Sequence, residues 1–205
     1  MRAFIAVPGG WACELEHAEL RILARIVADT AELLGSDIRG REDTEPEPAP
    51  EPISGDDAVL AALDWDPAAG QPPRDPALAR LLPPASRDDE ELAAELRSLT
   101  EGPLRATKVE QLRVVHSTLE ASSGLVVVRA GEERAWLAAL TDLRLVLASR
   151  LGIETDEDAE RVYERAGTAT PQTAGEELDA ALTSLYAALT WWQESLLEAM
   201  SGGAS

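Results

Sequence analysis

The sequence predicts a mainly α-helical domain with a small antiparallel β-sheet, an α+β fold. Three observations predict it. Apolar residues recur at three-and-four spacing along most of the chain, which is the helical period. The opening residues carry a hairpin pattern around Pro8-Gly9-Gly10. One later run, Leu125–Arg129, is valine-rich and of strand length. At 205 residues and 45% hydrophobic composition the chain is expected to form a single domain over residues 1–205 with a real core.

Residues 3–7 and 11–15 form the two arms of the hairpin. A helix follows, with Leu20, Leu23, Val27, Ala31 and Leu34 on one face and Ile22, Ile26 and Leu33 widening it. So broad a stripe requires burial over more than half the circumference, and Gly35 supplies the stop. Residues 36–55 are acidic and proline-rich, with Pro46, Pro48, Pro50 and Pro52 alternating with other residues. Alternating prolines forbid helix and deny a sheet its donors, so a mobile, extended linker is expected. A docking ligand for a proline-reading module is the other reading, and the absence of adjacent basic anchors disfavours it.

A short helix fits residues 56–63, and another fits residues 76–82 after a second proline-rich stretch. A long helical pattern then begins, capped by Asp88 or Asp89, with Leu92, Leu96 and Leu99 lining one face. Gly102-Pro103 is expected to kink or break it. The stripe resumes through Leu104, Lys108, Leu112, Val115 and Leu119 and ends at Ser122-Ser123-Gly124. Leu125–Arg129 is a lone strand, so it should pair with the N-terminal hairpin to satisfy its backbone. Trp136, Leu140, Leu143, Leu147 and Leu151 mark a helix over residues 132–151, closed by Gly152. Residues 155–165 give a short acidic helix and residues 167–174 a loop. In the last helix Leu178, Leu182, Leu185, Leu189, Trp192 and Leu196 form one seam, expected to pack on the chain's own helices rather than in a coiled-coil dimer. Trp191 and Trp192 are adjacent and cannot share a face, so one is exposed or occupies a second buried face.

The charge narrows function. Acidic residues outnumber basic ones 38 to 18, giving a formal net charge of −20. Such a chain is repelled by phosphate backbones and anionic lipid, so neither direct nucleic-acid binding nor membrane association is expected. Arg97, Arg105, Lys108 and Arg113 form one basic cluster; internal pairing is its default reading, with Glu95, Glu101 or Asp142 as partners for Lys108. No phosphate loop, nucleophile elbow or zinc-protease motif occurs. His17 and His116 are the two histidines, and Glu14-x-x-His17 alone is a weak metal signal. No cofactor is expected. The opening residues do not read as a signal peptide, and no apolar run approaches the roughly 20 residues of a membrane span, so a reduced, cytoplasmic location is expected. Cys13 is the sole cysteine. Its acidic neighbours Glu14 and Glu16 disfavour the thiolate, and a small buried hydrophobe is its simpler reading; a redox role is the alternative.

Three stretches, DPALARLLPPASRDDEELAAELRSLTEGPLRATK (75–108), WLAALTDLRLVLASRLGI (136–153) and LYAALTWWQESL (185–196), together resemble an actinobacterial family long described as a domain of unknown function and named AosR, for actinomycete oxidative-stress regulator. Family members are often encoded beside the ClpS adaptor and the Mec–CysO–CysM sulfur-assimilation genes. The resemblance implies a redox-linked regulator, not an enzyme, acting by protein contact on a partner such as a sigma factor to raise cysteine biosynthesis. The family's proposed switch is a pair of cysteines separated by three residues. This chain departs from it: positions 9 and 17 are Gly9 and His17, so Cys13 could act only by sulfenylation or intermolecular pairing. The other readings are that this member regulates without thiol sensing, or that the switch is not general to the family. The residues that match the motifs are Asp75, Arg87, Asp88, Asp89, Glu95, Arg97, Arg105 and Lys108 in the first stretch. Asp142, Arg144 and Arg150 match in the second, and Trp192, Gln193 and Glu194 in the third. They are expected to form an interaction surface or a polar network that holds helices in register.

Three functions are therefore carried forward. A protein-binding regulator, possible also as a homo-oligomer, predicts an exposed apolar or aromatic patch such as Trp191. A small carboxylate-based enzyme or metal-binding bundle predicts inward carboxylates converging with His17. A DNA-binding factor predicts a coherent basic face. A purely structural protein is the bland alternative.

Overall fold

A computed structural model describes residues 1–39, 71–86, 88–168 and 173–202. The expected linker over most of 36–55 and the short helix at 56–63 lie outside the described residues, as does Arg87. Six α-helices and a three-stranded antiparallel sheet make up the fold among those residues, so the predicted α+β class is correct.

Strands β1 (Ile5–Val7) and β2 (Gly10–Glu14) form the hairpin, and β3 (Leu125–Arg129) adds to β2, which is central. The first arm is shorter than the sequence pattern suggested, and the second keeps five residues but starts one position earlier. Pro8 and Gly9 make a two-residue turn in which Gly9 adopts φ +87°, the left-handed position that glycine tolerates. Gly10 is required for a different reason: a Cβ there would lie 2.0 Å from the Val128 carbonyl oxygen across the ladder. Cys13 pairs with Val126 and Trp11 with Val128, which puts Cys13, Val126 and Val128 together on the core face.

Helix α1 (His17–Leu33) starts with a capping box, in which the Glu19 carboxylate accepts the Glu16 N–H at 2.8 Å. It ends at Gly35, where Ser36 N–H returns to the Ala31 carbonyl at 2.9 Å. Helix α2 (Pro76–Leu81) has Pro76 at its first position and Asp75 as cap. Helix α3 (Glu90–Glu120) is capped by Asp89, which accepts Leu92 N–H at 2.9 Å. Of the kink or break expected at Gly102-Pro103, the break does not occur: the helix runs unbroken through Pro103. Pro103 and Leu99 are both exposed at this level, so water can serve the carbonyl that proline leaves without a donor.

Helix α4 (Glu133–Arg150) is central, packing against α1, α2, α3, α6 and β3. Helix α5 (Asp156–Thr168) packs on α6 (Ala174–Gly202), and a small satellite core of Ala148, Ile153 and Val162 joins it to the end of α4, with Tyr186 of α6 packed against it. At its start Asp158 accepts the Glu154 and Thr155 N–H groups, which hold its carboxyl down at about 2.

The main core joins the sheet to α1, α3, α4 and α6. Its centre is aromatic. Phe4 stacks on Trp192 at 5.0 Å between centroids, and Trp136 meets both edge-on, at 6.2 and 5.7 Å. Two expected core stripes run beyond this centre. Leu92 and Leu99 of α3 are 44% and 67% exposed, because only Ala93 of that end is covered. Leu178 of the α6 seam is 59% exposed, while Leu189, Trp192 and Leu196 are fully buried. The seam packs within the chain from Leu182 onward and projects past the core before it.

Two adjacent tryptophans thus have opposite fates, which yields a stability prediction. Trp192→Ala should cost about 3–5 kcal/mol. Trp191→Ala should cost less than about 1 kcal/mol. Urea unfolding followed by far-UV circular dichroism checks both, and equal losses would contradict this packing.

Candidate functional site

The charged residues singled out from the sequence divide into inward ties and outward groups. Lys108 on α3 reaches Asp142 on α4, with Nζ donating to Oδ1 at 2.6 Å. Of the three partners considered for Lys108, Asp142 is the one used. The Asp142 side chain is almost wholly buried, and its Oδ2 accepts no hydrogen bond among the described residues. Burial pushes the Asp142 carboxyl above its ordinary range, and the Lys108 ammonium opposes that shift. One turn earlier on α3, Arg105 donates to Glu101 at 2.6 Å and to the Leu34 carbonyl at 3.0 Å. The guanidinium therefore caps the C-terminus of α1, where the helix dipole favours a cation. Arg97 faces the other oxygen of Glu101 at 3.6 Å. Arg113 pairs with Glu110 on its own helix. Arg97, Arg105 and Lys108 are thus bound to carboxylates, and the cluster does not present a basic face.

Arg150 at the end of α4 donates to Asp75 at 2.7 Å, while the other Asp75 oxygen caps α2. The Arg150 hydrogen bond holds the Asp75 carboxyl below its usual range. Arg144 donates to the Gln193 side-chain oxygen at 2.9 Å and lies 5.8 Å from the Tyr186 ring centre. Gln193 in turn donates to Thr141 Oγ1 at 2.9 Å and to the Leu137 carbonyl at 3.3 Å. These bonds stitch α6 to α4. Tyr186 and Thr141 were not singled out beforehand. Tyr186 lies one helical repeat before Gln193, seven positions back, which is the signal that could have found it.

Asp88 and Glu95 are exposed and stand outside this network. So does Glu194, which is exposed beside Trp191. Trp191 is 46% exposed. His17 is exposed at the first turn of α1, and Glu14 is paired with Arg2 at 2.8 Å. Among the described residues no three His, Cys, Asp or Glu side chains converge as metal ligands.

Cys13 is buried against the aromatic centre, beside the Trp192 side chain. Burial is the main cause that pushes its thiol up to about 12. A thiol so shifted is almost entirely protonated at neutral pH and is a poor nucleophile.

A family model described as a domain of unknown function, DUF2017, matches residues 1–200. The chain belongs to that family. No curated protein and no solved structure matches it.

Two expectations follow. Lys108→Ala and Asp142→Ala should each cost about 3–5 kcal/mol, because each leaves a buried charge without its partner. Lys108→Ala/Asp142→Ala should cost clearly less than the two single losses summed, and additive losses in urea unfolding would reject the coupling. Cys13 should react with Ellman's reagent only as fast as the protein unfolds. Rapid labelling of native protein at neutral pH would contradict its burial.

Proposed function

We propose that this DUF2017 protein is a non-enzymatic regulator or adaptor that works by contact with another protein. The observation that carries the reading is the exposed indole of Trp191, directly before the fully buried Trp192. A half-exposed tryptophan on a rigid helix is a typical anchor of protein interfaces. The charged residues that match the family motifs support the same reading from the other side. Lys108, Asp142, Arg97, Arg105, Arg144, Arg150 and Gln193 serve as internal ties, so they hold a scaffold rather than line a reaction centre.

The resemblance to the oxidative-stress regulators extends the proposal: the contact would bear on transcription and cysteine biosynthesis, with a sigma factor as one partner class. In this chain that regulation would operate without Cys13 chemistry. The buried, protonated thiol and the absence of cysteine at positions 9 and 17 favour that branch over sulfenylation.

Among the described residues no helix is long and apolar enough to cross a membrane. The test is affinity copurification of the tagged full chain from its native cells, with and without peroxide, and with Cys13→Ser in parallel. One protein partner recovered at near-stoichiometric yield in all arms is expected. Recovery only after peroxide, lost in Cys13→Ser, would overturn the thiol-independent branch. No protein partner in any arm would overturn the contact reading itself.

A further inference from the structure

Helix α6 carries five carboxylates, Glu176, Glu177, Asp179, Glu194 and Glu198, and no lysine, arginine or histidine. Its sides are not equivalent. Gln193 and Tyr186 face α4 through Arg144. Trp192 packs in the aromatic centre, and Ser195 accepts the Phe4 N–H, so those positions face the strand end. At about 100° per residue, Gln193 is about 200° around the helix from Trp191. The Trp191 side therefore points away from α4. On it lie Ser184 and Ala187 before the indole, and Glu194 and Glu198 three and seven positions after it. Glu194 and Glu198 are both exposed, and neither makes an ion pair or a hydrogen bond through its side chain among the described residues. Two small side chains, Ser184 and the half-buried Ala187, thus lead to one indole and two carboxylates without internal partners.

We infer that the Trp191–Glu194–Glu198 face of α6 is the docking surface for an arginine-bearing amphipathic helix of a partner protein. The inference rests on the protein-contact reading above and names the chemistry of the partner. Charge complementarity selects it. Two carboxylates without internal cations, on a chain of net charge −20, attract a basic segment and repel nucleic acid and anionic lipid. A second copy of this chain is disfavoured for the same reason, since it would bring like charges together. Arginine suits the site better than lysine. Its planar guanidinium can lie on the indole face while its N–H groups reach a carboxylate in the next helical turn. Ser184 and Ala187 leave room for an apolar side chain of the incoming helix to approach the α6 backbone.

The test is fluorescence anisotropy with the full chain and a labelled amphipathic peptide, leucine along one face and arginine flanking it. Its counterpart has every arginine replaced by glutamate. The arginine peptide is expected to bind, with affinity that falls as salt is raised, and the glutamate peptide is expected not to bind. Glu194→Gln/Glu198→Gln and Trp191→Ala should each weaken binding about tenfold or more, while Glu177→Gln/Asp179→Asn at the far end of α6 should leave it unchanged. Circular dichroism confirms that each variant is folded, and Trp191→Phe should retain part of the affinity. Absence of binding, equal binding of the glutamate peptide, or equal loss in the far-end variant would overturn the inference. A partner copurified from cells that binds these variants as well as the parent would also overturn it and leave the contact reading intact. Failure to copurify any partner would instead strike at that reading.

Discussion

The contact on which the rest depends is the packing of Phe4, Trp136 and Trp192. It draws together the residue that leads into the sheet, the central helix and the last helix, three segments far apart in sequence. Large aromatic areas leave water there, and each aromatic pair adds about 0.5–1.5 kcal/mol beyond burial. The indole N–H of Trp136 is buried without an acceptor among the described residues, and the Trp192 side chain is set against the Cys13 thiol. Cys13 fills the space beside Trp192, where a soft, small, protonated sulfur fits and a charged thiolate would not. The same packing dictates the surface. Once Trp192 is turned inward, Trp191 lies about 100° further round the helix, where it is 46% exposed.

Polar side chains then set how the helices lie against one another. Lys108–Asp142 ties α3 to α4, Arg105 ties α3 to the end of α1, Arg150–Asp75 ties α4 to α2, and Arg144–Gln193 ties α4 to α6. Each tie uses a cation inside or at the edge of the fold. Lys108 and Arg150 each take a carboxylate with them, so those ties leave the net charge of −20 to the rest of the surface. A buried pair is not automatically stabilising against an apolar replacement. Its firmer consequence here is geometric, because a lysine of that length reaches Asp142 only when α3 and α4 are in one register.

Much of this was legible in the sequence. Helical spacing located the helices, Gly9 and Pro8 the hairpin, and the unsatisfied backbone of Leu125–Arg129 its union with the sheet. The sequence narrowed the α3 cap to Asp88 or Asp89, and Asp89 takes it, while the Asp75 cap of α2 emerged only in the structure. What was not legible depended on where neighbours end. Leu92, Leu99 and Leu178 repeat as core residues do, yet their helices extend past the elements that could cover them. Pro103 looked like a break because a lost hydrogen bond is costly when buried, and exposure at Leu99 removes that cost. The partner of Lys108 lay among three carboxylates and needed the packing of α3 on α4 to decide it. Glu198 belongs to the Trp191 face only through the orientation that the buried Trp192 gives α6.

The function proposed here rests on one asymmetry, an inward Trp192 and an outward Trp191 on an acidic helix. Hydrogen exchange of the tryptophan indole N–H groups, followed by 15N-resolved NMR and assigned with single Trp→Phe variants, tests it most directly. Slow exchange is expected at Trp192 and Trp136, and exchange near the free-indole rate at Trp191. A protected Trp191 alongside a labile Trp192 would contradict it.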